Sequence, residues 1–515
     1  MKKITIAWLI FIPFFSVFSQ NYNPDFFPIG VWSVKGDFRP VDDFLFNPET
    51  AGAYHQASFQ DLKERGFNSV LLSYDPIGYT LDTILKIAET YDMKVISSMQ
   101  HLHQVINQSN NQEVTDNDII QAIENDSIVR LKASSAILGY YLYDEPLPGW
   151  IDFDVLSNAK NILAQMTADS PHPILSCWND EQHMNYIDDY LNLEVLMMDA
   201  YPIEDGDAYG DLSDYMPSYF YYGDDPMPFS DYINTVRSNH CDAQDRPMWV
   251  VLQAFGDLET PENGGYWRQV YPKEIRLQVF LSLMQGAKGI WYFLYESEYP
   301  YLLGLLDVSG QPTQRLDEVI EINQEIQIIS PILLKLKVNT DQSVLQTDSG
   351  EAKLHTHTYT GKQYIFCVNT DVQAPSAPVI TLDKSALDYE VIDIIDKING
   401  VSVAFVDTGT QLIITPEIPI ASGLLLQLSD QVTSTTEETI KKLQISPNPV
   451  ITSMHIFHPY TKISHFTVSD LAGKILLSGI VPKNNNINMD YLESGIYLIT
   501  FFTQKGIFTQ EFIKN

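Results

Sequence analysis

Between Pro28 and Ser330 the chain alternates eight times between a short apolar run and an amphipathic one. The apolar runs are GVWSV (from Gly30), NSVLLSY (from Asn68), KVISSM (from Lys94) and ILGYYLY (from Ile137). PILSCW (from Pro173), LEVLMMDAYP (from Leu193), PMWVVLQAF (from Pro247) and KGIWYFLYES (from Lys288) follow. The segments between them, such as TLDTILKIAETYDM, DNDIIQAIENDSIVRLKA and FDVLSNAKNILAQM, carry helical spacing. The runs are continuously apolar, as expected of parallel strands covered on both faces by helices. Eight such repeats in about 300 residues is what a (β/α)8 TIM barrel requires. The rival, a doubly wound open sheet, more often shows a glycine-rich phosphate turn after its first strand, and GVWSVKGDFRP supplies none.

The pattern changes after Ser330. Runs such as EAKLHTHTYT, KQYIFCVNT, GVSVAFVDT, TQLIITP and SGLLLQLSD read as antiparallel strands, predicting a small β-sandwich over 333–430. The polar, Thr-rich segment 431–442 reads as a linker, and a further β-rich unit occupies 443–515. At the other end, MKK followed by ITIAWLIFIPFFSVF reads as a secretory signal peptide over 1–20, leaving 21–332 for the barrel domain. No later stretch is long and apolar enough to suggest a membrane span in the mature chain. Three scattered cysteines make no disulfide framework, so stability rests on the core. A net charge of −35 argues against nucleic acid or an anionic membrane as partner, since phosphate binding needs clustered Lys and Arg.

In a parallel barrel the carboxyl ends of the strands share one mouth. The polar strand-end residues are Asp144 and Glu145 (fourth), Asp199 and Tyr201 (sixth), Gln253 (seventh), and Tyr295 and Glu296 (eighth). Trp178 ends the fifth strand, and Trp267 and Trp291 are further aromatic candidates. Carboxylates gathered at one site push one another's pKa apart and keep one protonated at neutral pH. A carboxylic acid on a rigid strand end, pinned by the following proline, can protonate a leaving oxygen, with a second carboxylate across the mouth as nucleophile or base. This is the arrangement of glycoside cleavage. Trp178, Trp291, Tyr201 and Tyr295 are expected to bind sugar, as aromatic faces do.

Residues 28 to about 330 resemble the retaining clan A of (β/α)8 glycoside hydrolases. The resemblance rests on Tyr143-Asp144-Glu145-Pro146 against the clan's Asn-Glu-Pro, and on an Arg-bearing helix leading into Gly-Ala-Lys-Gly-Ile. It implies the acid/base role for Glu145 and a polysaccharide or oligosaccharide substrate, with no cofactor. Two departures stand out. Asp144 replaces the Asn that binds the sugar 2-hydroxyl, and an Asp-Glu pair there is similar to hexosaminidases in which Asp orients a 2-acetamido group that itself attacks. Gln253 stands where the seventh-strand nucleophile belongs, and an amide cannot form a glycosyl-enzyme. Glu296, Asp199 or the substrate's own 2-substituent therefore remain open as nucleophile. A non-catalytic carbohydrate-binding barrel and a surface adhesin are the competing readings.

The tail from Leu443 to Asn515 resembles the C-terminal sorting domain of type IX secretion cargo in Bacteroidetes. Pro447-Asn448-Pro449, Asp470 with Gly473-Lys474, and Leu492, Gly495, Tyr497 and Leu498 carry the match. It implies partnership with the type IX machinery and a secreted or cell-surface destination. No metal is expected. His101 and His103 at strand spacing point to opposite faces and lack a third ligand, and the acidic loop 203–215 lacks EF-hand spacing. Serine-hydrolase, nucleotide and metalloprotease signatures are absent from the sequence.

Overall fold

The structure is a computed structural model. It describes residues 24–32, 59–72, 78–213 (save 180 and 206), 227–257, 267–297 and 302–431, and within the tail 444–446, 449–450, 452–457, 463–470, 474–479, 486–503 and 506–514. The leader expected at 1–20 lies outside the described residues, as does the linker apart from residue 431.

By internal contacts the chain forms two units: 1–202 with 213–253 and 287–299, and 203–212 with 254–286 and 300–515. The first unit contains a closed barrel of eight parallel strands. They are β1 (Ile29–Trp32), β2 (Ser69–Leu72), β3 (Lys94–Ser98), β4 (Ile137–Asp144), β5 (Ile174–Trp178), β6 (Leu196–Ala200), β7 (Met248–Gln253) and β8 (Gly289–Phe293). Each lies within one of the eight apolar runs or overlaps its end, and β1, β2, β6 and β7 are buried at every residue, which is why they lack polar alternation. Helices α1 (Gly78–Thr90), α2 (Gln100–Gln108), α3 (Asp116–Asn125), α4 (Phe153–Met166) and α5 (Phe229–His240) belong to the same unit. Thr115 and Asp118 cap α3 reciprocally, and Asp152 caps α4.

The barrel interior packs Trp32, Leu71, Tyr141, Cys177, Trp249 and Trp291, among others. Trp291 lies so close over Gly30 that a Cβ there would come within 2.2 Å of its ring. Only glycine leaves room for the indole, so β1 and β8 are matched at this point.

The second unit holds α6 (Pro272–Met284) and α7 (Gln314–Leu333). Helix α6 is buried from Glu274 to Met284, on every face, so its sequence shows no amphipathic stripe. Beyond α7 come a six-stranded and a four-stranded antiparallel sheet enclosing a core that includes Leu354, Ile365, Ile380, Leu412 and Leu426. The tail adds sheets of three and four antiparallel strands around their own core. Two of its motif residues, Asp470 and Tyr497, make local hydrogen bonds. Asp470 accepts the Lys474 N–H through Oδ1 (2.9 Å). Tyr497 is buried and donates its O–H to the Glu493 carbonyl (2.8 Å). Among the described residues no helix is long and apolar enough to cross a membrane.

Candidate active site

Strand β4 loses register against β5 between Tyr141 and Tyr143, so the strand is locally kinked before its acidic end. Such irregularities re-aim side chains at barrel rims. Glu145 then turns into the left-handed region (φ 43°) while its N–H still bonds the Cys177 carbonyl of β5 (3.0 Å). For a residue with a Cβ this conformation costs on the order of 1 kcal/mol, and such strain clusters at functional sites.

The carboxyl group so placed is hydrogen-bonded to that of Asp199, the penultimate residue of β6. Asp199 is 3% exposed. Burial, then the charge of Asp199, then the hydrogen bond to it push Glu145 up to about 9, although Asn179 pulls the other way. Burial also raises Asp199, to about 6, although it accepts from Glu145 and from the Cys177 thiol (Sγ to Oδ1, 3.6 Å). Burial and mutual charge thus favour a shared proton between the two carboxyls, and the hydrogen bond acts upward on Glu145 and downward on Asp199. The Cys177 thiol is pushed far up by burial and by the same acids, so it stays protonated.

Asp144 completes the group. Its Oδ1 accepts the Tyr141 hydroxyl (2.6 Å). Enclosing protein atoms, then the charge of Glu145, raise it toward about 7. Unlike its neighbours Asp144 is exposed, and water on that open side tempers the rise; the upward direction is what the geometry supports. Tyr201 lies in the same field. Burial and the charges of Asp199, Cys177, Glu145 and Asp144 hold its hydroxyl protonated, and its ring stacks on Phe293 (5.8 Å). A cavity of about 480 Å³ opens beside Asp144, lined on the strand side by Trp32, Leu71, Ser98 and Tyr141.

The structure therefore gathers Asp144, Glu145, Asp199 and Tyr201. Gln253 ends β7 fully buried. Glu296 is 6% exposed and makes its charge felt at Tyr295. Three residues expected to contact sugar are placed as follows. Trp291 belongs to the barrel core and Trp178 packs on Phe153 of α4, and both are fully buried. Tyr295 is locked by Arg65 (2.6 Å) and Asp61 (2.9 Å). Trp267 packs edge-on against Phe255 in the second unit. His101 and His103 sit on helix α2 rather than at strand spacing. Among the described residues no group of three His, Cys, Asp or Glu could hold a metal. Sequence reasoning passed over Trp32, Tyr141 and Asn179. Tyr141 had a signal, standing three residues before Asp144 within the same aromatic strand.

Residues 444–515 match the secretion system C-terminal sorting domain. The chain thus ends in a sorting domain of the type IX system, which directs secretion to the cell surface or exterior. Comparison with curated proteins finds no match. Among solved structures, one described as a glycoside hydrolase matches at TM-score 0.50 and 14% identity, over 78% of this chain and 93% of that one. A glycoside hydrolase family 5 protein from Bacteroides vulgatus ATCC 8482 matches at TM-score 0.52 and 13% identity, over 79% and 90%. At these identities the likeness is one of fold: the chain carries the barrel architecture of glycoside hydrolases, exported by a sorting tail.

Proposed function

We propose that the barrel hydrolyses glycosidic bonds in a polysaccharide or glycan, with Glu145 as general acid and then general base. The observation that carries this reading is the carboxyl pair of Glu145 and Asp199 brought together at the strand ends, with Asp144 and an open cavity alongside; burial and the neighbouring charge raise Glu145. A carboxylic acid neutral at physiological pH can give its proton to the leaving oxygen as the C1–O bond breaks. Asp199, negative and adjacent, holds that proton in place beforehand.

The direct hydrogen bond between Glu145 and Asp199 argues against Asp199 as nucleophile. A retaining pair stands about 5–5.5 Å apart to admit the sugar between them. Asp144 is open to solvent, anchored by Tyr141 and next to the acid. This supports substrate assistance, in which Asp144 orients a 2-acetamido group whose oxygen attacks C1. Water then opens the cyclic intermediate, with Glu145 taking its proton. Gln253 at the end of β7 accords with a site that supplies no seventh-strand nucleophile.

Release of reducing sugar from a panel of 2-acetamido and 2-hydroxy glycans tests this. Glu145→Gln is expected to abolish release, and Glu296→Gln to lose far less. If Glu296→Gln is as inactive as Glu145→Gln, Glu296 supplies the nucleophile. If wild type and Glu145→Gln bind glycans equally and neither cleaves any, the barrel is a carbohydrate-binding module, the reading that Gln253 by itself would favour.

A further inference from the structure

Helix α2 lies along the cavity beside Asp144 and presents Gln100, His103, Gln104 and Asn107 to it. These positions, i, i+3, i+4 and i+7, form one helical face. We propose that this face is a specificity-determining sugar subsite that reads the hydroxyl groups of an uncharged sugar residue. The inference rests on the glycosidase reading of the adjoining acids.

The hydrogen-bonding capacity of the face is well defined. The His103 Nε2 lies 3.1 Å from the Tyr141 carbonyl, which can only accept, so this nitrogen carries the proton. Burial pushes His103 below the usual imidazole value, so it is neutral and Nδ1 is an acceptor. The Asn107 Oδ1 accepts from the Tyr143 hydroxyl, which leaves its N–H groups as donors. Gln100 and Gln104 are exposed and carry a donor and an acceptor each. Among the described residues, donors and acceptors thus alternate along this face with no Arg or Lys. That suits hydroxyl groups, which both give and accept, while a sugar carboxylate or sulfate calls for Arg or Lys. Trp32 and Leu71 of the barrel core form the apolar floor of the same cavity.

The face is also held rigidly. Asp126, fully buried, accepts the N–H groups of His101 (3.0 Å) and Leu102 (3.1 Å) at the start of α2. His103 ties the middle of the helix to β4 at the point where its register slips. The cavity of about 480 Å³ falls in the range of small-ligand sites.

The test is titration calorimetry on the full chain carrying Glu145→Gln, which removes turnover. The probes are neutral trisaccharides of glucose, galactose, mannose and N-acetylglucosamine, together with trigalacturonate. At least one neutral probe is expected to bind ten times more tightly than trigalacturonate. Adding Gln104→Ala or Gln100→Ala is expected to weaken it about fivefold each, the scale of one lost hydrogen bond. Alanine is the better helix former, so α2 persists in these variants, as circular dichroism would show. Tighter binding of trigalacturonate, no binding of any neutral probe, or a dissociation constant unmoved by both α2 substitutions overturns the subsite. If turnover survives Glu145→Gln while the α2 substitutions still weaken binding, the acid assignment fails and the subsite stands.

Discussion

The carboxyl group of Glu145 on the rim of β4 donates its hydrogen bond to the carboxylate of Asp199, two strands around the barrel on β6. This bond favours the protonated form of Glu145 over that of Asp199. Asp199 acts on Glu145 by its charge and as acceptor, and both act upward. Asp199→Asn removes the charge, so Glu145 releases its proton at lower pH. The alkaline limb of the rate profile is expected to move toward acid, with a smaller loss of kcat than Glu145→Gln, which should cost about 10²–10⁴ in rate. An Asp199→Asn variant with an unmoved alkaline limb would show that the bond does not tune the acid.

The wild-type pH dependence follows from the same three acids. Under the proposed mechanism Asp144 is ionised to hold the 2-substituent, and it is raised toward about 7. As the proposed general acid Glu145 is protonated, and it is raised to about 9. The profile of kcat/KM should be bell-shaped, with its acid limb below neutrality and its alkaline limb near 9. The apparent values belong to the coupled group rather than to single residues. Initial rates from pH 4 to 10 check this, and a profile falling steadily from pH 5 upward would contradict it.

Stability should carry the opposite signature. The folded value of Glu145, about 9, lies above its ordinary 4.5. Between the two, the native state keeps a proton that the unfolded chain releases. The stability contributed by this group is therefore complete below about 4.5 and is lost as pH rises through about 9. Glu145→Gln has no such proton to keep. Its Tm should exceed that of the wild type by a margin that grows from pH 5 to pH 9, the usual exchange of stability for activity. Calorimetric scans at both pH values measure the margin, and a constant one would remove Glu145 as its source.

The barrel was legible because strands buried on both faces must be apolar throughout, as the fully buried β6 and β7 are. The acidic tip at Asp144 and Glu145 was legible because two acids ending such a strand have no packing role, while the choice of Glu145 as the acid came from the resemblance to Asn-Glu-Pro. The aromatic residues were not, since a strand end says nothing of which side a ring takes. Trp178 turns to α4, Trp291 enters the core over Gly30, and Tyr295 is claimed by Arg65 and Asp61. Helix α2 was hidden by its nine-residue length, with only Leu102 and Ile106 marking its buried side. The pairing of Glu145 with Asp199 depends on the φ of a single residue and on β4's slipped register, neither of which has a sequence signal.

The last prediction concerns Tyr141, whose buried hydroxyl donates to Asp144 (2.6 Å) while burial and the Asp144 charge keep it protonated. The bond lowers the pKa of Asp144 and fixes its rotamer. Tyr141→Phe keeps the ring packed edge-on against Trp32 (5.6 Å), so the fold should persist with a loss of about 1 kcal/mol. Without the donor, Asp144 ionises at higher pH, so the acid limb of kcat/KM should move upward while the alkaline limb, set by Glu145, stays in place. A shift of both limbs together would mean that Tyr141 acts on the whole acid group, and an unmoved acid limb would mean that Asp144 does not set it.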